Sequence, residues 1–339
     1  MLGAGSNVSQ GIIKALRMIK RPIKIFGACI SEYSKGIYFC DEGYICPRAD
    51  DKQFIPWVIQ FCNNHEIDII FTGVEENVLE LARNIDVLKQ KTKAMFISSS
   101  YEQLLLGQDK YSTCEFLKNA DCNFPKYQLY NGMDSLRDFA RRVGYPIIVK
   151  PRNGKSANGI VIIRNENDIN KCSSLDDYVL EEYVGNTDEE YTVGCYRTRK
   201  DELKMIIMKR LLHNGTTVWA KVVEDKAIYD ECRKICEAFK PVGPLNIQLR
   251  KNSAGQPICF EMNVRFSGTT AMRNHMNFKD VEAMIDEYLF DLNVSNHFDY
   301  INGEMFRYDE ECYLKAGSTK KLKEFNQIKK DMFLLGARA

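Results

Sequence analysis

Histidine and net charge are both scarce in this 339-residue chain. Its four His (His65, His213, His275, His297) are too scattered to suggest a zinc centre. Lys and Arg number 47 against 46 Asp and Glu, a net charge of +1, so no basic face points to nucleic acid or an anionic membrane. No apolar run approaches the length of a membrane span. Met1 leads into a glycine turn rather than an apolar leader, so no signal peptide is expected. The 12 Cys include no Cys-x-x-Cys pair and no compact framework. Cys29, Cys62, Cys114, Cys195 and Cys259 fall in expected strands and helices, the usage of a reducing cytoplasm. Cys232 and Cys236 lie one helical turn apart, but no further metal ligands are evident, so a structural use is expected. No nucleophile triad, internal repeat or low-complexity segment is present.

What is present is a globular composition, 45% hydrophobic and 27% charged, with length enough for two or three domains. Up to about Ser98, strands alternate with helices, which implies a parallel sheet. Strands are expected at Ile23–Ala28, Ile67–Thr72 and Ala94–Ser98, and helices at Val8–Ile19, Phe54–Asn63 and Glu75–Asn84. Only Met1 and Leu2 stand where an opening strand belongs, so the chain reads as short at its N-terminus. The turn Gly3-Ala4-Gly5-Ser6-Asn7 is not a dinucleotide fingerprint. Its third glycine comes at Gly11, and Phe26-Gly27-Ala28 offers no carboxylate for a ribose. A turn holding a substrate carboxylate, or nothing, fits better.

Further on, the pattern predicts helices at Tyr101–Leu106, Tyr111–Asn119 and Met133–Val143, and strands at Phe124–Leu129 and Tyr145–Lys150. Ile148 and Lys150 share a strand face. The loop Gly154–Gly159, entered beside Lys150, can fold backbone N–H groups over phosphates, although many such loops bind nothing. Strands are expected at Ile160–Arg164, Tyr178–Leu180, Glu190–Tyr196, Leu203–Leu211 and Thr217–Val223, and helices at Asp168–Lys171, Lys226–Phe239 and Lys279–Leu289. Ile301–Tyr313 could hold a last strand, before a lysine-rich tail.

Leu245–Arg250 and Ile258–Asn263 form a predicted hairpin. A turn centred on Ala254-Gly255 sets Gln248 opposite Glu261 and Asn246 opposite Asn263. Gln248, Glu261 and Asn263 then converge as oxygen donors suited to Mg²⁺, with Arg265 beside them, the equipment of phosphoryl transfer. Spacing alone leaves an ordinary edge hairpin equally open.

Taken in order, Asp109-Lys110, the strand ending in Lys150, the loop Gly154–Gly159, Glu181–Val184, Glu190, Gln248 and Glu261-Met262-Asn263-x-Arg265 resemble the ATP-grasp superfamily, and within it the carbamoyl phosphate synthase large subunit. The resemblance covers roughly Tyr101–Tyr313. It implies an α/β (α+β) fold, an ATP-grasp unit preceded by a Rossmann-like pre-ATP-grasp domain. The implied parts are 1–100 for that first domain, 101–185 for linker helices and a small lobe, 186–313 for the C-terminal lobe with the metal hairpin, and 314–339 for a tail. Lys110 and Lys150 match lysines that hold nucleotide phosphates. Gly154, Ser156 and Gly159 match the flap over the β- and γ-phosphates. Glu181, Glu182 and Val184 match the hinge at the adenine edge. Glu190 matches the ribose carboxylate, with Glu189 as the alternative. Gln248, Glu261 and Asn263 match the ligands of two Mg²⁺, with Mn²⁺ as a substitute. Arg265 matches an arginine at the transferred phosphoryl group, with Lys209 and Arg210 as weaker candidates.

The activity so implied is that of an ATP-dependent carboxylate–amine, or carboxylate–thiol, ligase. It works through an acylphosphate and releases ADP and phosphate in the cytoplasm. Its partners are a small carboxylate and an amine, with no nucleic acid or membrane, and a homodimer is left open. A kinase of a small carboxylate or carbamate and a silent ATP-binding regulatory module are the alternatives. One ATP-grasp unit and no glutaminase signature speak against complete carbamoyl phosphate synthesis. For the acceptor, Ser6, Asn7, Glu75, Glu76, Arg273 and His275 are candidates, although Glu75 equally fits a helix N-terminal carboxylate.

Overall fold

Two helix starts meet near the N-terminus, and glycine lets them. Gly3 has φ +59°, and a Cβ there would stand 2.3 Å from Val74. A Cβ on Gly73 would come within 2.6 Å of Val8 and the Ser9 nitrogen. Only a residue without a Cβ allows that approach. Ser6 then caps α1 (Asn7–Met18) by accepting from the Ser9 N–H, and the buried Ser9 hydroxyl accepts from the Gly73 N–H at 3.0 Å.

The computed structural model describes residues 1–154, 159–172, 175–186, 189–308 and 311–312. The tail expected at 314–339 lies outside the described residues. After α1 come β1 (Phe26–Cys29), β2 (Glu42–Ile45), α2 (Phe54–Asn64), β3 (Ile69–Ile70), α3 (Glu75–Arg83), α4 (Ile85–Lys91) and β4 (Met95–Phe96). β1 and β2 pair in parallel, as do β3 and β4. Leu2 bridges in parallel to both Ala28 and Thr72. The array therefore runs β2, β1, Leu2, β3, β4, which is half of a doubly wound sheet with its first strand reduced to a bridge. Phe54, Leu81 and Leu88 lie fully buried against it, each contributing roughly 1.5–3 kcal/mol.

Two details of this region correct the sequence expectations. β2 was not expected, because Glu42 and Gly43 depress strand propensity. The single helix expected over Glu75–Asn84 is followed at once by α4. Asn84 ends α3, its side-chain amide donating to the Glu80 carbonyl at 2.9 Å.

Next come α5 (Tyr101–Gln108), α6 (Lys110–Asn119), β5 (Tyr127–Leu129), α7 (Gly132–Val143), β6 (Ile147–Pro151), β7 (Val161–Ile163) and β8 (Tyr178–Glu182). The strands form an antiparallel sheet in the order β5-β8-β6-β7. α7 covers one face through Leu136 and Phe139, which pack with Ile147, Val149 and Leu180. Ile148 and Lys150 therefore point the other way. The short helix expected at Asp168–Lys171 is a 3-10 turn over Glu166–Cys172.

The last part holds β9 (Glu190–Arg197), β10 (Leu203–His213), β11 (Thr216–Val222), α8 (Lys226–Phe239), β12 (Gly243–Lys251), β13 (Pro257–Asn263), α9 (Thr270–His275), α10 (Asp280–Leu289) and β14 (Glu304–Phe306). Its strands form one antiparallel sheet, ordered β13-β12-β9-β10-β11-β14. α8 packs on one face through Ile228, Cys232 and Ile235. On the other face, Ile206, Met208 and Ala220 meet α10 and the N-terminal α1. Among the described residues, no helix is long and apolar enough to cross a membrane.

The hairpin expected at β12–β13 pairs Gln248 with Glu261 and Asn246 with Asn263. Its turn is centred one half-residue earlier than expected. Asn252 N–H donates to the Gln256 carbonyl, and Lys251 pairs with Pro257. Left alone, that register would set Gln248 opposite Phe260. A bulge between Gln248 and Leu249 absorbs the extra residue and restores the polar pairs.

Candidate active site

A cavity of about 500 Å³ opens between the two large sheets and the N-terminal domain. Register decides what faces it. Across β12, β9 and β10, Arg250 pairs with Glu190 and Glu190 with Arg210. Two residues along, Gln248 pairs with Thr192, and two further Asn246 with Gly194. Side chains two apart share a face, so this polar row forms one wall.

Glu190 is held by two arginines. Arg210 Nε lies 3.0 Å from one of its oxygens and Arg250 Nη2 2.8 Å from the other. Burial raises the Glu190 pKa, but the two guanidinium groups outweigh it and hold the carboxyl below its ordinary value. Arg210 Nη2 also donates to Gln248 Oε1 at 2.6 Å. Gln248 is thus engaged by a cation at the oxygen it was expected to offer a metal. Glu261 Oε1 accepts from Asn263 Nδ2 at 2.9 Å, and both residues line the cavity. Asn246 is 1% exposed; its oxygen accepts from Thr192 Oγ1 at 2.9 Å.

Lys150 and Lys110 enter from the opposite wall. Lys150 Nζ lies 2.6 Å from Glu181 Oε2, both side chains buried, and its ammonium stands 5.4 Å from the centre of the Phe260 ring. Lys110 Nζ donates to the Gly154 carbonyl at 2.8 Å, which ties the start of α6 to the loop after β6. Burial, with Lys150 nearby, lowers the Lys110 pKa against the pull of Glu261 and Glu181. If Lys110 binds phosphate as an ammonium, activity should fall on an alkaline limb centred below the ordinary lysine value of 10.5. Lys110→Arg should move that limb upward, because guanidinium stays charged. A pH–rate profile of both proteins checks this.

At the far end, Arg265 Nη2 meets Glu75 Oε2 at 3.5 Å. Ser6, Asn7, Thr216, Ser267 and Gly268 continue the wall. Asn7 Nδ2 donates to Thr216 Oγ1 at 3.3 Å, which joins α1 to the β10–β11 hairpin. Arg307 bonds the carbonyls of both Thr217 and Gly268 and holds these walls side by side.

The cavity therefore gathers Lys110, Lys150, Val184, Glu190, Gln248, Glu261, Asn263 and Arg265. Glu181 sits behind Lys150 as its counter-ion, and Glu182 does not line the cavity. Gly154 and Gly159, expected in the flap, do not line the cavity; Ser156 lies outside the described residues. Lys209, expected as a catalytic candidate, is not brought to the cavity. It alternates with Arg210 on β10, so it faces the opposite side and lies 3.7 Å from Glu189. Of the acceptor candidates, Ser6, Asn7 and Glu75 reach the cavity, whereas Glu76 and His275 do not. Arg273 is buried against Asp280, with Nε 2.9 Å from Oδ2. Arg250 and Asn246 were missed, although each lies two residues from Gln248 and shares its face.

Residues 174–297 match the family model described as "ATP-grasp in the biosynthetic pathway with Ter operon", and residues 2–95 match "PylC-like, N-terminal domain". The chain carries an ATP-grasp domain behind a PylC-like N-terminal domain. Among curated relatives, it is 22% identical over 222 residues to the N5-carboxyaminoimidazole ribonucleotide synthase of Staphylococcus aureus, covering 63% of this chain and 56% of that one. It is likewise 22% identical over 157 residues to the carbamoyl-phosphate synthase of Methanobrevibacter smithii, covering 46% of this chain and 41% of that one. The chain thus spans about half the length of these curated relatives. The solved N5-carboxyaminoimidazole synthetase from Staphylococcus aureus complexed with ADP superposes with a TM-score of 0.64 at 19% identity, covering 84% of this chain and 75% of that one. At that identity the likeness is one of fold. It bears out the α/β ATP-grasp fold expectation, and the carbamoyl-phosphate synthase among the curated relatives bears out that resemblance.

Proposed function

We propose that the protein is an ADP-forming carboxylate–amine ligase, the amine being replaceable by a thiol, that works through an acylphosphate. The observation that carries the reading is a single cavity onto which Lys110 and Lys150 converge from one side and Glu261, Asn263 and Arg265 from the other. ATP would lie with its adenine toward Val184 and Tyr183 and its phosphates between the lysines and the hairpin. All twelve cysteines are free thiols, which supports a reducing, cytoplasmic setting.

The donor set suits a divalent cation, because Glu261 and Asn263 supply hard oxygens side by side. Gln248 would join them once Arg210 turns from it toward phosphate. When bound, Mg²⁺, expected as two ions with Mn²⁺ as a substitute, screens the charge of the ATP phosphates. The chain's own groups do the rest. Lys150 and Arg265 hold the transferred phosphoryl oxygens as charge builds on them. A carboxylate oxygen of the acceptor attacks the γ-phosphorus, and the bond to the ADP oxygen breaks. The amine then attacks the acyl carbon, phosphate leaves with the bonding pair, and the amine proton passes to solvent. A closed cavity keeps water from the acylphosphate.

ADP formation measured over a matrix of carboxylic acids and amines tests the reading. A ligase needs both partners, and mass spectrometry then finds the condensed product. ADP formed with an acid alone would replace the ligase with a kinase. A thermal shift with ATP and Mg²⁺ but no ADP under any mixture would leave a binding module.

A further inference from the structure

The acceptor end of the cavity has an unusual charge inventory. Ser6, Asn7, Thr216, Thr217 and Ser267 wall it with neutral hydroxyl and amide groups. Among the described residues of that end, Glu75 and Arg265 are the charged ones. The other cationic groups of the cavity stand toward its nucleotide end: Arg210 and Arg250 beside Glu190, and Lys110 and Lys150, which the ligase reading gives to the ATP phosphates. A phosphate ester on the acceptor would find no cluster of cations there, and a dianion prefers several.

The Glu75–Arg265 pair is itself loose. One contact of 3.5 Å joins the two groups, and the side chains keep 22% and 16% of their exposure. Arg265 donates from Nη1 to the Phe266 carbonyl at 3.0 Å. Among the described residues, its buried Nε has no hydrogen-bond partner. Turned toward the cavity that Arg265 lines, the guanidinium would offer this donor to an incoming oxygen. Guanidinium favours carboxylate as a fork. Arg265 is itself one of the two groups proposed to hold the γ-phosphoryl oxygens, so a carboxylate set on it would stand next to the phosphorus it attacks. Glu75, reaching in from the first turn of α3, would then face the atom attached to the carbon next to that carboxylate.

We infer that the carboxylate activated here belongs to a zwitterionic, unphosphorylated α-amino acid, its carboxylate on Arg265 and its α-ammonium on Glu75. This rests on the ligase reading of the same cavity. The arrangement has a chemical consequence. An ammonium held by Glu75 keeps its proton and is no nucleophile, so the bound amino acid serves as the acyl donor and the attacking amine comes from the second substrate. Hydroxyl and amide groups of the rim then meet polar side-chain atoms of the amino acid.

The test uses the full-length protein with ATP, Mg²⁺ and hydroxylamine, which traps an acylphosphate as a hydroxamate. α-Amino acids are compared with their 2-hydroxy and unsubstituted counterparts and with O-phosphoserine. Hydroxamate should form with α-amino acids in preference to all three. Glu75→Gln should raise KM for the amino acid roughly 10- to 100-fold, leave kcat within a few fold and erase the preference over the hydroxy acid; Glu75→Asp should restore part of it. Equal or better use of the hydroxy, unsubstituted or phosphorylated acid overturns the inference. Calorimetry with a non-hydrolysable ATP analogue and Mg²⁺ separates the two readings. Glu75-dependent binding of amino acids without any hydroxamate keeps the inference and sinks the ligase. Absence of both binding and hydroxamate overturns the inference.

Discussion

Glu261→Ala is expected to lower ADP formation by about 10³-fold while changing the unfolding free energy by no more than about 1 kcal/mol. The two effects separate because of how the side chain is held. Among the described residues, its carboxylate accepts one hydrogen bond, from Asn263 Nδ2, and the backbone pairing with Gln248 does not involve the carboxylate. Removing the carboxylate therefore spares the ladder and the bulge but takes away the one anionic oxygen donor of the hairpin's polar face. Glu261→Gln should keep the hydrogen bond and the fold yet demand more Mg²⁺ for the same rate. Lys209→Ala gives the contrast. It lies on the far face of β10 and should leave turnover nearly unchanged. Steady-state ADP release against Mg²⁺ concentration, paired with thermal melts, reads all three. Full activity in Glu261→Ala would remove the metal assignment.

The hairpin shows how much of this was legible in the sequence and by what route. Alternating polar and apolar residues locate both strands, and Gln248, Glu261 and Asn263 do share a face. The route was partly fortuitous. The assumed turn centre is offset, and the bulge at Phe260 supplies the missing residue. Bulges leave no periodic mark, so pattern alone could not separate the two cases. The choice between Lys209 and Arg210 failed for a related reason. Adjacent residues on a strand face opposite ways, and nothing local says which is inward until the β9–β10 register is fixed. By contrast, α8 was found at its observed bounds, because Ile228, Cys232, Ile235 and Cys236 mark one stripe. The short N-terminal strands were overextended, since their burial comes from parallel neighbours distant in sequence. Glu181 is the instructive case. It stands in the expected hinge segment, yet its side chain turns back to Lys150. Its role depends on a partner in another strand, and only the β6–β8 pairing supplies it.

That pair gives the largest expected effect on stability. Lys150→Met should cost about 3–5 kcal/mol, a large share of the 5–15 kcal/mol that typically holds a domain. Glu181 is 1% exposed, and among the described residues its second oxygen already lacks a partner. Without the ammonium, a buried carboxylate beside Cys114 would lose its hydrogen-bonded counter-ion and keep only the longer-range pull of Lys110. Removing both charges should reverse most of the loss, because desolvating two ions offsets much of their attraction. Lys150→Met with Glu181→Leu should therefore unfold at nearly the wild-type urea midpoint. It should still release no ADP, since the cation proposed to hold the transferred phosphoryl group is gone. Structural and chemical roles of Lys150 thus come apart in one pair of proteins. A single variant that loses less than about 1 kcal/mol would mean the ion pair does not form as described. A double variant that turns over ATP would mean Lys150 serves the fold alone, and phosphate binding would then have to rest on Lys110 and Arg265.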